Sequence, residues 1–213
     1  MDIMKDEIQF TSDDSIAIIA PHPDDECIGN AGALIRIPSQ VDIYVVSDGC
    51  YGNRLRSVTE EAKLRREWFE QEMSIVQPRN YYWMGIQDTK ISENLDFASQ
   101  IDFTRYTKVF LPWKESIHID HRAAYEGCHN QIIAQSAVDT EYYMYEICAP
   151  FRNPRYFVDI TDVIDKKREL IRCHEEMNVE LDIVITLNRF RAAQLYEHPM
   201  CEYAEAYDKV EIL

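Results

Sequence analysis

The chain has 213 residues, of which 46% are hydrophobic and 28% charged, and its formal charge at pH 7 is −16. This length is enough for one sizeable core, and because no linker or low-complexity tract divides the sequence, we predict a single domain over residues 1–213. The acidic balance repels phosphate backbones and anionic lipid, so nucleic acid is not an expected partner, and no apolar stretch approaches the roughly 18 residues of a transmembrane helix.

Two further features of the sequence favour a cytoplasmic protein. The first seven residues are too acidic, and their apolar run too short, for a signal peptide. The six cysteines occur without a CxxC pair, which favours reduced thiols over a disulfide framework. We therefore predict a cytoplasmic address without membrane insertion, and the subunit count stays open, a homo-oligomer included.

In chain order, the predicted elements alternate between strands and helices. Strands are predicted over residues 15–20, 41–47, 80–84, 108–111, 142–147 and near 156–159. Helices are predicted over residues 26–36, 59–76, 97–106, 122–135 and about 161–177, and Ser57 to Glu60 fits a capping box before the second helix. This alternation indicates an α/β fold, namely a Rossmann-like, doubly wound and mostly parallel sheet with helices on both faces.

Clusters of polar side chains follow two of the predicted strands. The first strand ends in one imidazole and three carboxylates, His22, Asp24, Asp25 and Glu26, and the strand at 108–111 is followed by His118-Ile119-Asp120-His121. Ligands of α/β folds bind beyond the carboxyl ends of the strands, so the two clusters are expected to converge on one site. That site has the composition of a divalent metal centre.

The expected ligands are His22, Asp25 and His121, which supply two imidazoles and one carboxylate. Catalytic zinc sites use three such ligands and leave the fourth position for water. Because the set contains no thiolate, it also suits iron(II) or manganese.

The remaining members of the two clusters have expected catalytic roles. Asp24 would act as the general base that takes a proton from water. His118, if protonated, would stabilise an oxyanion or protonate a leaving amine. Asp120 would fix the tautomer or orientation of His118.

At these residues the chain resembles the PIG-L or LmbE-like zinc-dependent de-N-acetylases. The signature of that family is His-Pro-Asp-Asp-Glu after the first strand, here residues 22–26, and a later His-x-Asp-His, here residues 118–121. Ser47-Asp48-Gly49 resembles the family's Thr-x-Gly turn, and residues 85–88 resemble its Gly-x-x-Asp. In the last third of the chain, further segments resemble recurrent family segments at 145–146, 158–161 and 203–207. The resemblance implies the family's fold, a zinc cofactor and an N-acetylated amino-sugar substrate.

Three substrate contacts are expected, of which the resemblance implies Arg65 and Asp88, whereas Trp113 is a candidate because it follows a strand end on the loop leading to His118. Arg65 stands where the family carries a substrate-contacting arginine. It belongs to a group of basic residues at 54–66, and their positive charge is compatible with a substrate that carries a phosphate. Asp88 would accept hydrogen bonds from sugar hydroxyls, with a turn or cap before Thr89 as the structural alternative. Trp113 is either a lid over the core or a surface on which a sugar stacks.

The sequence departs from the family pattern at three places. Residues 115–117 lack the tyrosine or arginine that some members place before His118, Cys50 stands where a glutamate is common, and residues 66–68 after Arg65 slightly alter the helix pattern. None of these departures touches the metal set, so they bear on substrate choice more than on reaction type.

Other polar and small residues receive structural interpretations. Gly29 and Gly32 do not form a dinucleotide loop and are expected to allow close packing of the first helix against the sheet. Glu26 would begin that helix at the positive end of its dipole, or else support the metal ligands. His174, in a helix rich in charged residues, is expected to face solvent.

The combined prediction is a metal-dependent hydrolase that removes the acetyl group from an N-acetylated amino sugar of the GlcNAc-conjugate type, releasing acetate and a free amine. An amidase or deacylase for a different N-acyl small molecule is the alternative enzyme, since the same site would cleave its substrate. A non-catalytic sugar-binding relative is disfavoured, because a binding module has no need of a general base such as Asp24.

Overall fold

Eight strands form one sheet with helices packed on both of its faces, as seen in a computed structural model that describes residues 6–147, 149–174 and 181–212. The strands are β1 Asp6–Glu7, β2 Ile16–Ala20, β3 Val41–Ser47, β4 Asn80–Ile86, β5 Lys108–Pro112, β6 Glu141–Tyr145, β7 Tyr156–Asp159 and β8 Ala204–Lys209. Their order across the sheet is β1-β7-β8-β6-β5-β2-β3-β4. Neighbouring strands are parallel except where β8 pairs antiparallel with β6 and β7. The predicted fold class is confirmed.

Within the described residues, five α-helices and several short 3₁₀ helices accompany these strands. The α-helices are α1 Asp25–Arg36, α2 Val58–Val76, α3 Ile119–Gln135, α4 Ile164–Ile171 and α5 Leu181–Ala192. The 3₁₀ helices are Pro38–Gln40, Ile91–Glu93, Leu95–Gln100, Phe103–Arg105 and Thr161–Val163. Among the described helices, none combines the length and apolar character that crossing a bilayer demands.

Strand β2 has side chains buried on both faces of the sheet. Ile16, Ile18 and Ala20 belong to the core shared with α1, α2, α4 and α5, whereas Ala17 and Ile19 belong to the core shared with α3. Alternate side chains of a strand point to opposite faces, and a strand covered on both faces is apolar throughout. Charged and hydrogen-bonding side chains are therefore expected only after the last residue of β2.

Two local predictions about the helices are confirmed. The Ser57 side chain caps α2 by accepting a hydrogen bond from the Glu60 N–H at 3.3 Å. A Cβ atom on Gly29 would lie 2.1 Å from the Tyr145 ring, so only glycine allows α1 to lie this close to β6.

The structure departs from the predicted elements in the second half of the chain. Residues 97–106 were expected to form an α-helix, but they lie largely in two short 3₁₀ helices, Leu95–Gln100 and Phe103–Arg105, separated by extended backbone at Ile101. The predicted helix at 161–177 is a 3₁₀ turn followed by α4, and residues 175–177 of that prediction lie outside the described residues. Helix α5 and strand β8 were not predicted.

His174, expected to face solvent, is fully buried, and that prediction is wrong. Its Nε2 lies 2.7 Å from Glu72 Oε2 on α2. His174 follows the last turn of α4, and its side chain points to this carboxylate on α2. The prediction used only the charged residues of its own helix, which do not determine this contact with a different helix.

Candidate active site

The polar residues singled out in the sequence lie along one edge of the sheet. His22, Asp24 and Asp25 follow β2, Asp88 follows β4, and the segment 118–121 follows β5. Because β2, β3, β4 and β5 are all parallel, their carboxyl ends share this edge. Side chains from all three segments line one cavity of about 920 Å³.

Three of these side chains form a triangle of possible ligand atoms. His22 Nδ1 lies 3.2 Å from Asp25 Oδ2 and 3.3 Å from His121 Nε2, and the third edge, from His121 Nε2 to Asp25 Oδ2, is 3.5 Å. With metal–ligand distances of about 2.0–2.2 Å, the edges of a tetrahedron measure about 3.3–3.6 Å. The three atoms therefore have the spacing that a tetrahedral zinc ion requires of three of its ligands.

Further carboxylates lie on the other side of the His22 ring. Its Nε2 is 3.3 Å from Asp88 Oδ1 and 3.5 Å from Asp120 Oδ2. Burial lowers the pKa of His22, but hydrogen bonds to Asp120, Asp25 and Asp88 raise it well above its ordinary value. The site therefore favours a positive charge among these carboxylates, which a proton or a metal cation would supply.

His121 is held by a residue that the sequence analysis did not select. Ser116 Oγ lies 3.1 Å from His121 Nδ1, which leaves Nε2 directed at Asp25 and His22. Burial lowers the pKa of His121 to about 4, so the imidazole is neutral and has a lone pair for a metal. The sequence indicated this contact only through the position of Ser116, five residues before His121. A serine near the start of a helix is too common to identify a partner of a metal ligand.

Asp24 is paired with Arg65 inside the cavity. Arg65 Nη1 lies 3.1 Å from Asp24 Oδ2, and both side chains are less than 10% exposed. Burial raises the pKa of Asp24 to about 6, although the Arg65 cation opposes this shift. A carboxylate with a pKa near neutrality is suited to taking up a proton and returning it.

The backbone around Asp24 and Arg65 is unusual. Asp24 has φ 145°, in a region that residues with a Cβ rarely adopt and that is often found at functional sites. Gly49, with φ +63°, lies against the guanidinium, since a Cβ there would be 2.8 Å from Arg65 Nε. The turn after β3 thus makes the room that brings Arg65 to Asp24.

His118 is the N-cap of α3. Its Nδ1 accepts a hydrogen bond from the Asp120 backbone N–H at 3.2 Å, so the ring proton of the neutral form is on Nε2. Burial and the nearby His22 lower the pKa of His118. His118 therefore offers a neutral N–H donor to the cavity, in place of the protonated imidazole considered from the sequence.

The contact between Asp120 and His118 differs from the expected one. The backbone amide of Asp120 fixes the ring of His118, whereas its carboxylate accepts the Thr89 N–H at 2.6 Å and faces His22. Asp88 likewise accepts the Tyr51 N–H at 3.0 Å and faces His22. Both carboxylates thus lie where they can orient the His22 ring.

Trp113 lies apart from this group of residues. Its ring packs against Phe151 with the ring centroids 5.2 Å apart and joins the core on the α3 face. It does not belong to the described lining of the cavity, in contrast to Arg65 and Asp88.

The far wall of the cavity comes from the last third of the chain. Helix α5 contributes Ile183, Val184, Leu187 and Asn188, and the ends of β6 and β8 contribute Glu146 and Glu205. None of these was predicted as a site residue. The segments 145–146 and 203–207 had been noted only as resembling family segments, and nothing in their composition indicated a cavity.

Comparison with known proteins gives one family match. The model of the family PIG-L, described as GlcNAc-PI de-N-acetylase, matches residues 17–132, which is more than half of the chain and contains all three atoms of the triangle. No curated protein sequence matches the chain.

Several solved structures share the fold. N,N′-diacetylchitobiose deacetylase from Pyrococcus horikoshii is 21% identical with a TM-score of 0.76, over 92% of this chain and 84% of that one. GalB, the 4-carboxy-2-hydroxymuconate hydratase from Pseudomonas putida, is 19% identical with a TM-score of 0.76, over 94% and 97%. A deacetylase of the teicoplanin biosynthesis pathway is 14% identical with a TM-score of 0.65, over 93% and 100%.

Proposed function

Because this chain belongs to the PIG-L family of GlcNAc-PI de-N-acetylases, we propose that it is a zinc-dependent hydrolase that removes the acetyl group from an N-acetylated amino-sugar conjugate. The observation that carries the proposal is the triangle of His22, Asp25 and His121 with the Asp24–Arg65 pair in the same cavity. Iron(II) or manganese would also fit these ligands.

The bound metal would supply Lewis acidity, polarising a carbonyl oxygen and lowering the pKa of water. Asp24 takes the proton from the attacking water, and Arg65 keeps its carboxylate ionised and in place. The His118 Nε2–H donates a hydrogen bond to the oxyanion that develops on the amide carbonyl.

Collapse of the tetrahedral intermediate breaks the C–N bond. Asp24 returns its proton to the leaving nitrogen, so one amide and one water become acetate and an amine. Asp88 and Asp120 hold the His22 ring through Nε2 throughout. Every proton transfer in this scheme uses a side chain that faces the cavity.

The size and lining of the cavity support a conjugated sugar. Its volume of about 920 Å³ lies at the upper end of the range of about 300–1,000 Å³ for small-molecule sites. Carboxylates surround the triangle, whereas the wall formed by α5 presents Ile183, Val184 and Leu187. We infer that the sugar lies at the metal and that a partly apolar carrier lies along α5.

We further propose that the enzyme is a single domain and works in the cytoplasm. The described cysteines, Cys27, Cys50, Cys128, Cys173 and Cys201, are all free thiols, which suits a reducing compartment.

The test is release of acetate from a panel of N-acetylhexosamine conjugates by metal-loaded protein, with free amine measured in the same samples. The proposal expects equimolar acetate and amine, and loss of both after removal of the metal. Cleavage confined to other N-acyl compounds would assign the amidase alternative. Binding without turnover would assign the sugar-binding alternative. Because the fold is shared with a hydratase, the panel includes an unsaturated hydroxy acid, whose hydration would release neither product.

A further inference from the structure

Four potential metal ligands, here called the inner cluster, meet where α1, α2 and the end of α4 pack together. They are Glu26 and Cys27 on α1, Glu72 on α2 and His174 just after α4. All four residues are fully buried, and one donor atom from each lies within 4.8 Å of the others. The cluster shares no residue with the triangle of His22, Asp25 and His121.

Among the residues that the structure describes, the inner cluster contains the two buried glutamates without a lysine or arginine partner. The other three buried glutamates each have one: Glu61 pairs with Arg56, Glu146 with Arg191 and Glu205 with Lys167. Among the ion pairs of the described residues, Glu72 has only the His174 imidazole and Glu26 has none.

Several polar atoms of the inner cluster have no hydrogen-bond partner. Within the described part of the chain, Glu26 Oε1, Glu72 Oε1 and His174 Nδ1 are buried and have no partner. Buried carboxylates are costly unless they are paired or bind a metal. A cation at the inner cluster would remove this cost.

We propose that the inner cluster binds a second divalent transition metal of the zinc type. One thiolate, one imidazole and two carboxylates give four ligands and no open position, which is typical of a structural site. The thiolate disfavours magnesium and calcium. The tetrahedron would need edges of about 3.3–3.7 Å, a range that lies within the 4.8 Å limit on the separations of the four donor atoms.

The second metal would fix the start of α1, where Asp24 and Asp25 lie. Glu26 Oε2 accepts the Asp24 N–H at 3.2 Å, and the Cys27 thiol donates to the Asp24 carbonyl oxygen at 3.2 Å. On metal binding the thiol gives up this last contact. The metal would tie the start of α1 to α2 and to the end of α4.

Cobalt(II) distinguishes the two sites, because only the inner cluster contains sulfur. Metal-free protein is titrated with cobalt chloride and followed by absorption, in which thiolate ligation gives a near-ultraviolet charge-transfer band. We expect two cobalt ions per chain and a band whose final intensity corresponds to one thiolate-bound cobalt. His121→Ala should lose one cobalt and keep the band, so failure of the catalytic assignment would not affect this result.

Cys27→Ser is the decisive variant, and Cys128→Ser, equally buried but on α3, is its matched control. The band should vanish in the first and persist in the second, with both variants showing wild-type circular dichroism. Should Cys27→Ser fail to fold, Glu72→Gln is expected to weaken the band-forming cobalt by at least about tenfold. A folded wild-type protein without the band, a band that survives in Cys27→Ser, or unchanged affinity in Glu72→Gln would overturn the proposal and leave the two carboxyls sharing a proton.

Discussion

Replacing Arg65 by methionine should slow catalysis by way of Asp24. The two side chains are 3.1 Å apart and less than 10% exposed, so solvent screens their interaction little. A hydrogen bond between charged groups contributes about 1.5–3 kcal/mol, which corresponds to about one to two orders of magnitude in rate. We therefore expect kcat to fall about 10- to 100-fold in Arg65→Met.

The same substitution should also shift the pH dependence of kcat/KM to higher pH. The Arg65 cation lowers the pKa of Asp24, so its removal raises that pKa and keeps the base protonated to a higher pH. The acidic limb of kcat/KM should move upward by about one to two pH units, since one unit corresponds to 1.36 kcal/mol. Arg65→Lys, which keeps the charge, should restore part of both effects.

The assay is steady-state acetate release from pH 5 to pH 9 on protein of checked metal content and thermal stability. Arg66→Met is the matched control, because Arg66 forms an exposed pair with Glu70 four residues further along the helix and such pairs are worth about 0–1 kcal/mol. A raised KM with unchanged kcat and an unmoved acidic limb would refute the role through Asp24 and assign Arg65 to substrate binding.

Four further outcomes are expected. His121→Ala should lose the catalytic metal, measured by elemental analysis, and unchanged content would contradict the ligand assignment. Asp24→Asn should keep the metal but lower turnover by about 10²-fold or more, and near-normal turnover would mean that another group takes the proton. Asp88→Asn should weaken metal binding about 10- to 100-fold because its carboxylate orients His22, whereas normal affinity with a raised KM would favour contact with the sugar. Gly49→Ala should lower the free energy of unfolding in urea by about 1–3 kcal/mol. Gly85→Ala, also at positive φ but with open space around it, should cost less, and equal costs would exclude the clash with Arg65.

The sequence was most informative where the chemistry follows directly from a strand. The run at 16–20 is apolar because both faces of β2 are covered, and the change to His22 and Asp25 therefore marks the strand end. The same reasoning placed His121 after β5. Parallel pairing then brings these ends together, so the relation between the two motifs could be predicted without coordinates.

Contacts that depend on packing between distant helices could not be predicted in this way. His174 has charged neighbours in the sequence, and its burial results from how α4 lies against Glu72 on α2. Strand β8 carries the charged residue Glu205 at a buried position, so its sequence lacks the alternation of apolar and polar residues expected of a strand. Lys167 from α4 neutralises the Glu205 carboxylate. Arg65 was linked to the substrate, but which anion it faces depends on the turn at Gly49.

The distance along the chain between the ligands affects the order in which the protein assembles. His22 and His121 are 99 residues apart, and β5 must pair with β2 before their nitrogen atoms come within 3.3 Å. A nascent chain that ends before residue 121 therefore has two of the three ligands and cannot hold the ion in the triangle. A metal that binds only the folded state adds about 2.7 kcal/mol of stability at a concentration 100-fold above its Kd. In the triangle such a metal would stabilise the finished sheet and would take no part in starting it.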